Sequence, residues 1–298
     1  VISGLLHQGA KMSLGGGSKS FKTWTLLQMA VCIATKREWL GFETCGNPVI
    51  FINLELPEWS IKRRTELICQ AMEIPVPKEL RFWNLRGYSC NSEELFSKLT
   101  KEIDKYGYVG GFLDPIYKIL GTKDENSARD VGLILNAVEK FTVETKMSAI
   151  YGAHFSKGNQ SAKEAMDRVS GSGVYARDPD SFLTLTQHES ENCFALDMIL
   201  RDFPPQSSFV VKREHPLMVR DEQKDPVKLK QSKPSNATKY TQKDILEHMN
   251  FDAPMRTGAI CEVVREETGM AEREFYDVWA SLKAAQLIKK LPKGWIKK

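Results

Sequence analysis

The stretch Gly15-Gly16-Gly17-Ser18-Lys19-Ser20-Phe21-Lys22-Thr23-Trp24, GGGSKSFKTW, decides how the rest of the chain is read. Before it, Lys11–Leu14 reads as a short strand. After it, Lys22–Thr35 is apolar on nearly every face and reads as a buried helix. A strand, a glycine-rich turn and a helix N-terminus together bind anions, because unsatisfied N–H groups and the helix dipole point at the same place. Aligned on Lys22-Thr23, the stretch meets the Walker A pattern from Gly16 onward at every position except the second glycine, where Phe21 stands. Gly16, Gly17, Ser18, Lys19, Ser20, Phe21, Lys22, Thr23 and Trp24 are therefore the candidate nucleotide contacts. Lys22 is expected on the β- and γ-phosphates, Thr23 on Mg²⁺, and Lys19 as a second cation. Phe21 brings a side chain to a place where special dihedrals cost a non-glycine residue about 1–3 kcal/mol. Its amide survives, so a phosphate cradle stays possible if the ring turns away; the alternative is an ordinary glycine turn.

The surrounding pattern alternates short β-rich runs with helical stretches from about residue 10 to 215, the sign of an α/β domain with a mostly parallel twisted sheet. The expected strands are Lys11–Leu14, Pro48–Leu56, Leu80–Asn84, Tyr108–Asp114, Ser148–His154, Asp180–Thr186, Cys193–Leu200 and Phe209–Arg213. The last ones are expected to be antiparallel, since Thr186 to Cys193 is too short for a helical crossover. In such sheets ligands sit beyond the carboxyl ends of the strands. Three apolar strands deliver a polar residue there: PVIFINLEL gives Glu55, YVGGFLDP gives Asp114 and SAIYGAH gives His154. Asp114 suits a Walker B carboxylate that holds Mg²⁺ opposite Thr23. Glu55 suits the base or water-orienting residue, and His154 a hydrogen bond to the γ-phosphate. Singly, each is also an ordinary strand-end residue.

With these in place, GGGSKSFKTW, FINLELPEW, FLDPIYKILGTKDENSARDV, GAHFSKGNQS and LRDFPPQSSFVV together resemble the RepA-like branch of the RecA-type P-loop ATPases, plasmid- and phage-associated relatives of hexameric replicative helicases. The resemblance covers about residues 5–218. It implies a RecA-like fold, ATP and Mg²⁺ as ligands, Glu55 as catalytic carboxylate, Asp114 as Walker B and His154 as γ-phosphate sensor. It also implies that an aromatic can stand before the lysine of the loop. Arg201, in ILRDFPP, falls where such ATPases offer a basic residue to the neighbouring subunit's nucleotide; Lys212, Arg213 and Arg177 compete for that role. The segment Ser156–Asp180 takes the place of a loop facing the ring's centre, where Lys157, Lys163 and Arg168 would meet nucleic acid phosphates. A surface loop is the plain alternative.

Composition agrees with a globular protein and narrows the rest. The chain has 298 residues, 42% apolar and 27% charged, enough for one large domain and a small one. Six scattered cysteines and five histidines show no ligand or disulfide spacing. No apolar run reaches the roughly 18 residues of a membrane span, so no membrane partner and a cytoplasmic location are expected. The chain opens at Val1 in apolar sequence, which suggests that a segment precedes it. The net charge is +4, and residues 226–298 carry 14 Lys and Arg against 9 Asp and Glu, so the basic excess lies at the C-terminus.

Residues 1–220 are expected to form the ATPase domain, 221–239 a polar, proline-bearing linker, and 240–298 a small C-terminal domain. In the last, a capping box at Thr241 and Asp244, two further helices and two short strands around Pro292-Lys293-Gly294 resemble a winged helix. Its lysines Lys289, Lys290 and Lys293 suit either DNA phosphates or a solvated tail. The resemblance thus implies a ring-forming, hexameric, Mg²⁺-dependent ATPase that moves or unwinds DNA, single-stranded DNA being the expected partner. The alternatives are an ATP-switched DNA- or partner-binding protein and a small-molecule kinase.

Overall fold

The computed structural model describes residues 1–88, 92–120, 127–154, 174–230 and 240–297. The chain divides into two compact units, Val1–Gln231 and Ser232–Lys298.

In the first unit, strands and helices alternate: β1 (Lys11–Gly16), α1 (Lys22–Thr35), β2 (Val49–Asn53), α2 (Glu58–Ala71), β3 (Leu80–Asn84), α3 (Ser92–Tyr106) and β4 (Gly110–Asp114). A 3-10 turn over Ile116–Leu120 leads to α4 (Ala128–Thr145), β5 (Ser148–His154) and the short α5 (Val174–Arg177). Four strands close the unit: β6 (Ser181–Gln187), β7 (Cys193–Leu200), β8 (Phe209–Glu214) and β9 (Leu217–Asp221). They join one sheet in the order β3-β2-β4-β5-β1-β6-β7-β8-β9. The six strands from β3 to β6 run parallel, and β7, β8 and β9 follow antiparallel. The short β6–β7 connection forces that change of direction, as its length requires.

The period of two along each strand divides the core. On β2, Val49 and Phe51 face a cluster built with α1 and α2, while Ile50 and Ile52 face a second cluster built with α3 and α4. Helix α1 is buried from Thr25 through Ala34, which explains why its sequence lacks a polar face. It is also tied to the far edge of the sheet. The Gln28 side chain donates to Met218 O at 3.0 Å and accepts from Met218 N at 2.8 Å, closing an amide pair with β9.

Strand β9 is absent from the sequence reading, which placed the linker from residue 221. Instead, the chain stays on the sheet as far as Lys230: Glu189 N donates to Lys228 O at 2.9 Å and Lys230 N to Gln187 O at 2.8 Å. Backbone pairing at an edge needs no apolar side chains, so a polar stretch can supply it.

Among its described residues, the second unit has three helices, α6 (Gln242–Leu246), α7 (Thr257–Thr268) and α8 (Glu272–Ala284), and a hairpin of β10 (Ile288–Leu291) and β11 (Gly294–Lys297). The Thr241–Asp244 capping box forms, and Gly269 ends α7 in the left-handed region. Ile245, Ile260, Val264, Phe275, Trp279 and Leu282 build its core. Gly294 is obligatory at the hairpin: a Cβ there would lie 2.4 Å from Met255 O, whose residue pairs with Trp295. No helix among the described residues is long and apolar enough to cross a membrane.

Candidate nucleotide-binding site

The turn between β1 and α1 is shaped by two left-handed residues, Lys19 at φ 62° and Phe21 at φ 61°. Glycine's conformation is therefore present where the motif expects glycine, but phenylalanine adopts it. The Phe21 ring leaves the loop and packs edge-on to Phe194 of β7 at 5.8 Å, with the Arg213 guanidinium 5.0 Å from its centroid. The space over the loop amides is thus kept clear of the ring. The first intrahelical bond of α1 runs from Thr25 N to Phe21 O at 3.0 Å, so the amides of Lys22, Thr23 and Trp24 have no helical acceptor. A Cβ on Gly16 would meet Ser20 Oγ at 2.5 Å, so a side chain there would force that hydroxyl to move. Ser20 Oγ is itself buried and finds no hydrogen-bond partner among the described residues.

Lys22 turns back over the loop. Its Nζ donates to Gly16 O and Gly17 O, each at 2.8 Å, and lies 3.4 Å from His154 Nδ1. Burial pulls the ammonium down to about 8, although Asp114 and Glu55 draw it upward. The same burial, with Lys22 beside it, takes His154 down to about 4, so the imidazole is neutral near pH 7. Tyr117 flanks it, ring centroids 5.6 Å apart.

Asp114 ends β4 in a buried place and is raised to about 6. Desolvation is the main cause; a hydrogen bond from Thr23 and the charges of Lys22 and Arg64 oppose it, and Glu55 adds to it. Beside it on β5, Gly152 leaves room: a Cβ there would stand 2.7 Å from Asp114 Oδ1. A desolvated carboxylate bonded to a hydroxyl, beside a lysine and a set of free amides, fits Mg²⁺ carrying a phosphate chain. Thr23 and Asp114 would hold the metal, and the loop amides with Lys22 the phosphates.

Glu55 is exposed just beyond β2. The turn that carries it is fixed by the buried Asn53, whose Oδ1 accepts from Leu56 N at 2.9 Å and whose Nδ2 donates to Leu56 O at 2.7 Å and Asn84 Oδ1 at 3.1 Å. The structure therefore brings Lys22, Thr23, Asp114, Glu55 and His154 together beyond the carboxyl ends of the interior strands β1, β2, β4 and β5. Gly17 and Ser18 complete the turn, and Lys19 stands exposed on it.

Arg201 lies elsewhere. It follows β7, whose end pairs with the start of β6, at the opposite end of the strands from the phosphate loop. There it bonds Asp180 Oδ1 at 3.0 Å and Arg177 O at 3.1 Å. Lys212 is half-buried and pairs with Glu214 at 2.8 Å. Lys157, Lys163 and Arg168 lie outside the described residues. Asn53, Arg64 and Gly152 were missed by the sequence reading, although a lone Asn closing VIFIN was a visible signal.

A phosphate loop on a sheet with a Walker B aspartate and a strand-end glutamate defines a RecA-type P-loop ATPase. The chain belongs to the family described as AAA domain, whose model matches residues 1–160. Among solved structures, the fold is similar to that of a KaiC-like protein from Pyrococcus horikoshii OT3, with a TM-score of 0.52 and 15% identity, covering 74% of this chain and 93% of that one. No curated protein matches.

Proposed function

We propose that the protein is a Mg²⁺-dependent ATP hydrolase of the RepA-like branch that assembles as a hexameric ring and couples turnover to movement along or unwinding of DNA in replication or repair of a mobile element. The observation that carries the hydrolytic part is the convergence of Lys22, the Thr23–Asp114 bond, His154 and Glu55 around the loop amides. Lys22 exchanges the carbonyls of Gly16 and Gly17 for phosphate oxygens, a trade of neutral for charge-assisted hydrogen bonds. Bound Mg²⁺ supplies neutralisation of charge on the β- and γ-phosphates. Glu55, exposed to water and held by Asn53, orients the attacking water and accepts its proton. His154, neutral, hydrogen-bonds the γ-phosphate and registers its loss.

The DNA-linked part is supported by the resemblance of residues 5–218 and by the basic C-terminal unit, whose three helices and hairpin suit a winged helix. Arg201, remote from its own chain's loop and exposed, would exchange its ion pair with Asp180 for a neighbour's nucleotide, where an arginine contributes about 10³–10⁵ in rate. Native mass measurement with a non-hydrolysable ATP analogue, with and without single-stranded DNA, tests assembly; a nucleotide-dependent ring is expected, and a monomer under all conditions would remove it. Strand displacement separates a motor from an ATP-switched binding protein, which would unwind nothing.

A further inference from the structure

We propose that Trp24, Arg213 and the Phe21 ring form the seat of the nucleotide's base, supplied wholly by the chain that holds the phosphates. The proposal deepens the nucleotide-site reading and depends on it. The groups that act on the γ-phosphate come from β2, β4 and β5, all on one side of β1 in the sheet order. On the other side, β7 and β8 deliver Phe194 and Arg213. A nucleotide whose γ-phosphate reaches His154 and Glu55 therefore has its base directed toward that second group. Trp24 is the residue next to the metal-binding Thr23, and its amide is among those free to take phosphate oxygens.

The group is built as a stacking surface. The Arg213 guanidinium lies 4.3 Å from the Trp24 ring centroid and 5.0 Å from that of Phe21. Arg64 approaches Trp24 at 5.0 Å, and the His215 ring meets it edge-on at 5.2 Å. Arg213 is steadied by bonds to Pro216 O and to His215 Nδ1, the latter at 2.8 Å. Neither arginine has a carboxylate ion pair among the described residues, and Arg213 is lowered to about 10 by burial and by Arg64. Two crowded cationic planes over two aromatic rings favour a π-face and an anion arriving together, as a nucleotide brings them. This also gives Phe21 a purpose: the loop accepts a strained residue and gains a ring beneath Arg213. Arg213 is thereby committed to its own chain, not to a neighbour's site.

Calorimetric titration of the full chain with ATP, GTP and inorganic tripolyphosphate, each with Mg²⁺, tests the assignment. Stacking reads a face that all bases share, so ATP and GTP should bind within about threefold of one another. Trp24→Ala and Arg213→Ala should each weaken ATP and GTP about tenfold and leave tripolyphosphate within about twofold. Arg213→Lys should behave as Arg213→Ala, and Trp24→Phe should recover ATP binding, which guards against loss of fold as the cause. Equal losses for ATP and tripolyphosphate would make Arg213 a phosphate ligand and overturn the proposal, as would no loss at all. Failure of the unaltered protein to bind tripolyphosphate would instead overturn the phosphate site itself.

Discussion

Phe21 shows how a motif can be broken in residue type yet kept in geometry. Its φ of 61° and ψ of 24° are those a glycine would adopt, while its half-buried ring packs edge-on to Phe194. Phe21→Ala loses the ring but keeps a Cβ in the left-handed region, whereas Phe21→Gly loses the ring and relieves the backbone. The glycine variant should therefore be the more stable by about 1 kcal/mol. Urea unfolding of the two variants checks this, and an alanine variant equal to or above glycine would contradict it. Asp114 gives the pH dependence. A carboxyl raised to about 6 binds protons more tightly in the folded chain than in the unfolded one, so without metal this group adds stability as pH falls from about 6 toward 3.8. Metal binding needs the deprotonated form and runs the other way. Lys22, lowered to about 8, loses its charge as pH rises through 8, so affinity for Mg²⁺-nucleotide should peak near pH 7 and fall through pH 6; titrations at pH 7.5, 6 and 5 that show a constant affinity would contradict the assignment.

Among the elements, β5 carries a requirement that its apolar pattern hides. Gly152 faces Asp114, and Gly152→Ala should push the carboxylate off Thr23 while leaving the sheet in place. Mg²⁺-dependent nucleotide affinity should drop at least about tenfold, with a stability loss of about 1–3 kcal/mol. Retained affinity would show that the carboxylate yields without cost. The alternation of strands and helices, the antiparallel ending and the three strand-end residues were legible because each is local: a period, a loop length, a polar residue closing an apolar run. Strand β9 was not, since its pairing is stabilised by backbone bonds and by Gln28, 190 residues away. Arg64 and Arg213 were equally hidden as partners of Trp24, for two arginines on different elements leave no spacing to read. The fate of the Phe21 ring depended on Phe194, which no motif connects to the loop.

At the scale of the molecule, the two compact units have separate cores, Val1–Gln231 and Ser232–Lys298. All groups placed at the nucleotide belong to the first. A fragment of residues 1–231 should fold cooperatively and bind Mg²⁺-ATP within about twofold of the full chain; an unfolded or non-binding fragment would show that the site needs the second unit. The central claim, that Lys22 holds the phosphates and Glu55 acts on the water, is tested most directly by measuring ATP binding and turnover together in Lys22→Ala and Glu55→Gln. Both variants should lose turnover by at least about 10²-fold, but only Lys22→Ala should lose ATP binding, Glu55→Gln retaining it. Turnover at the unaltered rate in either variant would contradict the account.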